Sequence, residues 1–166
     1  MLFRSMDVQE GLAWIERFIG SIENNAIAAD PYPISLRGIN WIKFVSLHRE
    51  ELTPSQLAMI DTSLYSQYRV LERRTERHLL ANHYLENGFS LLFAAVYFRD
   101  AAFWKKARQI VTAQLEEQIL PDGAHYELSP MYHCVILEDL PDQRRFRPRG
   151  HRCLPAAGLG PVRHHR

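Results

Sequence analysis

The sequence predicts an all-α domain built of antiparallel helical hairpins. Apolar residues recur at three- and four-residue steps along most of the chain, and no segment shows the alternation of apolar and polar residues that marks a half-buried strand. Short turn segments separate the apolar stretches, so successive helices are expected to pack side by side. A chain of 166 residues is one domain's worth, and one core is expected.

The first helix is expected near Val8 to Gly20 and the second from about Ser35 to Arg49. The second helix is apolar around most of its circumference, and such a helix must be enclosed by other helices. This favours hairpins packed in layers over a simple four-helix bundle, whose helices have wider polar faces. The apolar residues of the second helix are Leu36, Ile39, Trp41, Ile42, Phe44, Val45 and Leu47.

The third helix has the clearest start signal in the chain. Thr53 takes the N-cap position, Pro54 the first helical position and Gln56 the capping-box position. Apolar residues then follow at helical spacing, and they are Leu57, Ile60, Leu64, Tyr68 and Leu71.

Three further helices complete the prediction. The fourth covers Asn82 to Phe98, and its apolar run is about half of what a membrane span needs, so it is a core helix. The fifth is capped by Asp100 and ends at the turn formed by residues 121–123. The sixth is expected from Pro130 to Leu140.

Residues 141–166 differ in composition from residues 1–140. They hold seven Arg, no Lys and one Asp, a net charge of 7 − 1 = +6, whereas residues 1–140 carry 13 − 18 = −5. Because the segment is also rich in Pro and Gly and has no apolar period, we expect a mostly disordered basic tail after the helical domain. Such a tail is often an arm for nucleic acid, but its composition is also that of a GC-rich gene read out of frame. We expect no nucleic-acid partner.

The ends and the cysteines exclude several classes of protein. The N-terminal stretch has acidic residues where a secretory signal has a long apolar region, so the chain as written is expected to be cytoplasmic. We expect no membrane partner. Cys134 and Cys153 offer neither a disulfide framework nor metal-ligand spacing, so no cofactor is expected in this chain.

Two polar motifs carry the candidate chemistry. The first is HLLANHYLENG, residues 78–88, in which an Asn-His pair precedes a Glu by one helical turn. Asn82, His83 and Glu86 lie three and four residues apart, so one helical face presents all three side chains. The second motif is PDGAHYELSPMYH, residues 121–133, which ends in a Tyr-His pair.

These motifs, together with PYPISLRGINWIKF at residues 31–44, resemble the N-terminal helical domain of the heparinase II/III family of polysaccharide lyases, which includes oligoalginate lyases. The resemblance spans roughly residues 11–140. It implies a partial (α/α) toroid of helical hairpins, which in the family is followed by an antiparallel β-sandwich domain. It also implies cleavage of uronic-acid polysaccharides, of heparan sulfate or alginate type, by β-elimination.

By the same resemblance, four residues are expected to be catalytic. Asn82 and Glu86 are assigned to the sugar carboxylate, whose charge must be neutralised as the C5 proton leaves. Tyr132 is assigned to proton transfer at C5 or the leaving oxygen. His83 is expected either to act as a base or to orient the reacting groups. A helix that begins near Ala81 would add its positive dipole end to an anionic site.

Each of these residues also has a purely structural interpretation. Asn82 is a good helix cap, and Glu86 fits a solvated helix face. His83 fits a hydrogen-bonded core or surface histidine, and Tyr132 fits a core aromatic with its hydroxyl satisfied. Their joint placement within the resembling segments favours the functional interpretation.

Four further residues are candidates for substrate binding. Arg37 is suited to a sugar carboxylate and Trp41 to stacking on a pyranose ring, although burial in the core is the better expectation for Trp41. Tyr126, with His125 beside it, precedes the Tyr132 segment and is a candidate for the cleft wall. His133 is expected either to orient Tyr132 or to cap a helix turn.

The expected partner is an anionic uronic-acid polysaccharide or oligosaccharide. The family's cleft is completed by later toroid helices and by the sandwich domain, where several members hold a structural metal, so the chain is expected to be a fragment that is inactive alone. The alternative function is a helical protein-interaction module without catalytic activity. In either case the open edge of a partial toroid is a possible surface for self-association.

Overall fold

The structure is a computed structural model, and it describes residues 7–75 and 82–126. Over these residues the chain is all-helical, which confirms the predicted fold class. The helices are α1 (Val8–Ser21), α2 (Pro31–His48), α3 (Pro54–Arg73), α4 (Asn82–Phe98) and α5 (Ala101–Gln118), with 3-10 turns at Ile22–Asn24 and Ala26–Ala29. The predicted helix at 130–140 and the predicted tail at 141–166 lie outside the described residues.

The predicted helix signals agree well with the observed helix starts. At α3, Thr53 Oγ1 accepts from the Gln56 N–H at 3.3 Å, and the Thr53 N–H donates to Gln56 Oε1 at 2.9 Å, so the capping box is confirmed. Asp100 caps α5, as predicted. The predicted start of α2, at about Ser35, was wrong by about one turn. The helix begins at Pro31, since proline is tolerated at the first helical position, where no N–H is needed.

Successive helices run in opposite directions. The hairpin of α4 and α5 shows this most directly, because Leu85 at the start of α4 packs near Leu115 and Ile119 at the end of α5. Between the two helices, Arg99 adopts the left-handed region at φ 55°, and the Asp100 N–H donates to the Ala95 carbonyl at 3.2 Å. Residue contacts show the same antiparallel arrangement for the other consecutive helices. Gly11 lies near Phe44 and Phe18 near Arg37 between α1 and α2, and Arg37 bonds to Gln67 between α2 and α3. Asp61 bonds to Tyr97 and Tyr68 to Ser90 between α3 and α4.

Helices α2 and α4 run parallel and lie next to each other. Tyr32 contacts His83 near their N-termini, and Lys43 lies over the Phe93 ring further along. Because α3 also packs on both helices, the three share one core. Its largest fully buried side chains from these elements are Ile34, Ile42, Phe44, Ile60, Leu64, Tyr68, Leu71 and Leu91.

Helix α2 is only partly enclosed. Nine of its residues are buried, including the predicted Trp41 and Phe44. The expectation that its apolar surface is almost wholly covered was wrong for Leu36 and Leu47, which are 41% and 58% exposed. These two side chains lie on the face that α1, α3 and α4 leave open.

A tight turn follows α5 and ends the described chain. Gly123 has φ 87°, a conformation that glycine adopts readily, and its N–H donates to the Leu120 carbonyl at 2.8 Å. An isolated antiparallel bridge between Ile119 and His125 closes the turn. The predicted end of the helix at residues 121–123 is therefore confirmed.

Across the described ranges, none of the helices combines the length and apolar character that crossing a membrane requires.

Candidate functional site at one end of the helical bundle

The first turn of α4 lies at one end of the bundle. Asn82 begins the helix, and its side chain lies outside what the structure describes. His83 is exposed, whereas Glu86, three residues on, is half-buried. Residues at this spacing share one helical face, so the backbone brings Asn82, His83 and Glu86 to the same end of α4.

His83 stacks on an aromatic ring that the sequence did not single out. The rings of Tyr32 and His83 lie 4.1 Å apart at the centroids and are inclined by only 8°. Tyr32 belongs to the first turn of α2, so the parallel packing of α2 and α4 creates this contact. Tyr32 is part of the PYPISLRGINWIKF segment, but periodicity alone gives no reason to pair it with His83.

A chain of buried hydrogen bonds lies one turn further along the same helices. Asn87 Nδ2 donates to Ser35 Oγ at 3.0 Å, and Ser90 Oγ donates to the Ser35 carbonyl at 2.9 Å. The Tyr68 hydroxyl lies 3.1 Å from Ser90 Oγ. All four side chains are fully buried, so their polar groups are satisfied within the protein and fix α2, α3 and α4 against one another.

The Tyr68 hydroxyl stays neutral over the physiological range. Burial raises its pKa far above the ordinary tyrosine value, and the nearby negative charge of Glu86 raises it further. The hydrogen bond with Ser90 and the positive charge of Arg37 act in the opposite direction. The charges of Glu86 and Arg37 therefore act on the Tyr68 pKa in opposite directions.

The turn after α5 lies at the same end of the α4–α5 hairpin as His83 and Glu86. His125 is 1% exposed, and its Nε2 lies 3.1 Å from Gln118 Oε1. Tyr126 beside it is 41% exposed, with the two rings 4.8 Å apart. The structure thus leaves Tyr126 exposed at this end of the hairpin, and it holds His125 inside the protein.

Arg37 and Trp41 lie on a different side of α2, facing α1. Trp41 is 8% exposed and packs edge-to-face on Phe18 at 5.7 Å, so the expectation of burial is correct. Arg37 donates from Nε to Gln67 Oε1 and from Nη2 to the Ala28 carbonyl, both at 2.7 Å. The structure brings these two residues together and separates them from His83 and Glu86.

The remaining predicted site residues, Tyr132 and His133, lie outside the described residues. Within 7–75 and 82–126, no group of three His, Cys, Asp or Glu side chains is placed to hold a metal ion.

Comparison with known proteins agrees with this architecture. The family model described as the heparinase II/III N-terminus matches residues 34–147, which is more than half of the chain and extends beyond Leu140. The chain belongs to this family. No curated protein matches it, and no solved structure does.

Proposed function

We propose that this domain binds uronic-acid polysaccharides of heparan sulfate or alginate type and supplies one side of a β-elimination site. Membership in the heparinase II/III N-terminal family supports the substrate class. The observation that carries the proposal is the placement of exposed His83 and half-buried Glu86 on the first turn of α4, at one end of the bundle.

The chemistry explains why these side chains belong together. Removing the C5 proton of a uronic sugar builds negative charge onto a carboxylate that is already ionised, so the site must supply hydrogen-bond donors or a protonated carboxyl group. Asn82 and Glu86 are assigned this task, and the N–H groups of the first turn of α4 add a favourable dipole. His83, held flat against Tyr32, is assigned to proton transfer or to orienting the sugar.

The proposal includes residues that the structure does not describe. Tyr132 is assigned to proton transfer at C5 or at the leaving 4-oxygen, and His133 to its orientation. Tyr126, exposed at the same end of the α4–α5 hairpin, is assigned to the cleft wall. The alternating helix directions from α1 to α5 are those that a partial (α/α) toroid requires, and we propose that architecture for the domain.

The test is a titration of the isotope-labelled protein with an unsulfated uronate trisaccharide, followed by NMR. We expect the backbone signals of residues 82–86 and Tyr126 to shift. Asn82→Ala and Tyr132→Phe should each weaken binding roughly tenfold, because each removes a hydrogen bond to a charged sugar. Gln109→Ala, on the exposed outer face of α5, is the matched control and should leave the affinity unchanged.

Binding that is equally strong in Asn82→Ala and the control would contradict the assignment of residue 82. Absence of any shift at residues 82–86 would remove the sugar-binding proposal and favour the interaction-module alternative.

A further inference from the structure

A groove lies between α1 and α2, away from the bundle end that holds His83 and Glu86. It has a volume of about 460 Å³, within the ~300–1,000 Å³ range of small-molecule pockets. Half of its lining residues are aromatic, and a guanidinium and an amide lie among them. The residues that matter for binding are Trp14, Phe18, Arg37, Asn40 and Trp41.

Within residues 7–75 and 82–126, the cation in this groove, Arg37, has no acidic partner. Among the described residues, Arg37 bonds only to the neutral oxygens of Gln67 and Ala28 and lies 4.3 Å from the Phe18 ring centroid. Burial lowers its pKa to about 10, so it remains charged at neutral pH. A half-buried positive charge without a carboxylate is costly, and an anionic ligand would offset that cost.

Among the residues that the structure describes, these two hydrogen bonds leave one guanidinium nitrogen of Arg37 without an acceptor. Nε donates to Gln67 and Nη2 donates to Ala28, so Nη1 keeps its two N–H groups for another acceptor. A carboxylate is the acceptor that matches both the charge and the planar geometry of this group. The groove thus has electrostatic complementarity to a single anion.

The exposed ring beside this cation is suited to a sugar. Trp14 is 58% exposed, and the Arg17 guanidinium lies 5.2 Å from its ring centroid. The C–H groups on one face of a pyranose carry partial positive charge and are attracted to the negative face of an aromatic ring. Asn40, exposed on the groove edge, offers an amide to a hydroxyl group.

We propose that the groove between α1 and α2 is a second carbohydrate subsite, which takes one uronic-acid residue with its carboxylate on Arg37 and its ring face on Trp14. The choice of a uronate rather than another anion rests on the function proposed above. The subsite lies between α1 and α2, whereas Glu86 belongs to α4, so the subsite anchors the polymer and takes no part in elimination.

The three tryptophans of the chain provide an internal readout. Trp14 and Trp41 line the groove, whereas Trp104 lies on the exposed face of α5. On titration with sodium glucuronate, we expect the indole N–H signals of Trp14 and Trp41 to shift and that of Trp104 to stay. Glucose has the same ring without the carboxylate. Its affinity should be lower by at least roughly tenfold, because it leaves Arg37 without an anion.

Substitutions then separate the contributions. Trp14→Ala should weaken glucuronate binding several-fold, and Trp104→Ala, the matched control at another exposed tryptophan, should not. Arg37→Gln should remove the preference for glucuronate over glucose. Because Arg37 also joins α2 to α3, Arg37→Lys, which keeps the charge, and a thermal melt of each variant distinguish lost binding from lost folding.

Three results would overturn the subsite: unmoved Trp14 and Trp41 signals, equal binding of glucose and glucuronate, or equal effects of Trp14→Ala and Trp104→Ala. Shifts caused by an unrelated apolar peptide but not by the sugar would assign the groove to a protein partner and also overturn it. The variants Asn82→Ala and Glu86→Gln should leave this titration unchanged. Groove binding without any shift at residues 82–86 would refute the proposed function at the bundle end and leave the subsite standing as an anionic-sugar site.

Discussion

Tyr68 shows how one buried hydroxyl couples three helices. It lies in α3, meets Ser90 of α4 and occupies the space beside Gly38 of α2. A Cβ atom at residue 38 would lie 2.3 Å from the Tyr68 hydroxyl oxygen and 2.5 Å from Cζ, well inside any real contact. The glycine is therefore required by the tyrosine, and both are required by the close packing of α2 on α3.

The first prediction tests this requirement. Gly38→Ala should lower the free energy of unfolding by about 1–3 kcal/mol, because overpacking outweighs the better helix propensity of alanine. Gly20→Ala is the matched control, since a Cβ there meets nothing within 4 Å and the helix should gain up to ~1 kcal/mol. Urea unfolding followed by circular dichroism measures both changes. Equal effects of the two substitutions would show that Tyr68 does not limit the approach of α2.

At the scale of helices, the starts of α2 and α5 offer a direct comparison. Asp100 Oδ1 accepts from the N–H groups of Ala102 at 2.8 Å and Phe103 at 3.2 Å, and the Tyr65 hydroxyl donates to Oδ2 at 2.9 Å. Asp30 stands at the corresponding position of α2, where its side chain makes no capping bond. An aspartate at the N-cap position therefore forms capping hydrogen bonds at the start of α5 but not at the start of α2.

The second prediction is that Asp100→Ala costs about 0.5–2 kcal/mol of stability, whereas Asp30→Ala costs clearly less. Asp100→Asn should restore most of the loss at neutral pH, because asparagine caps as well as aspartate. Thermal melts of the three variants measure these changes. If Asp30→Ala were as harmful as Asp100→Ala, the capping bonds would not be the cause.

The same cap should depend on pH. Partial desolvation raises the pKa of Asp100, but hydrogen bonds from the Phe103 N–H, the Tyr65 hydroxyl and the Ala102 N–H outweigh it and hold the pKa below the ordinary value. A carboxyl whose folded pKa is lowered stabilises the protein above its unfolded pKa of about 4, and this contribution fades as the pH falls through the folded pKa. The stability difference between the native chain and Asp100→Asn should therefore shift in favour of the asparagine variant below about pH 4.

At the scale of the whole molecule, binding and catalysis are expected to separate. β-Elimination needs the base, the acid and the carboxylate donors held together around one sugar ring, and groups held on one side alone do not reach productive geometry. The resemblance to polysaccharide lyases implies that later toroid helices and a β-sandwich domain would complete such a cleft. Within residues 7–75 and 82–126, the structure has helices and a single isolated bridge.

The third prediction is that the 166-residue chain binds uronate oligosaccharides but eliminates them slowly or not at all. The absorbance of the unsaturated uronide, recorded with alginate, heparan sulfate and hyaluronan, measures this. Steady formation of that product by the native chain, abolished in Tyr132→Phe, would contradict the prediction and show that these residues suffice for catalysis.

The sequence predicted most of the helices because their signals are local. The capping box at Thr53, the cap at Asp100 and the turn at Gly123 each act within a few residues, so their positions can be read from the chain. The start of α2 was placed about one turn too late, because the apolar residues that marked the helix begin only near Ser35, whereas proline is well placed in the first turn of a helix.

The candidate site was only partly predictable. The spacing of Asn82, His83 and Glu86 on one helix follows from helical periodicity, and the structure bears out that shared placement for the backbone. The stack of His83 on Tyr32 does not follow from spacing, since it joins residues from two helices that are not consecutive. The separation of Arg37 and Trp41 from that end also depends on which side of α2 faces α1.

The sequence by itself determined the all-α class, the order of the helices and the residue types available for chemistry, because periodicity and caps are properties of neighbouring residues. The tertiary structure decided which of those residues meet. Asn87 finds Ser35 and Tyr68 finds Gly38 only once α2, α3 and α4 are packed, since such contacts depend on the rotation of each helix about its axis. For the same reason, only the packed helices show an aromatic groove around Arg37 on one side of α2 and the His83 stack on another.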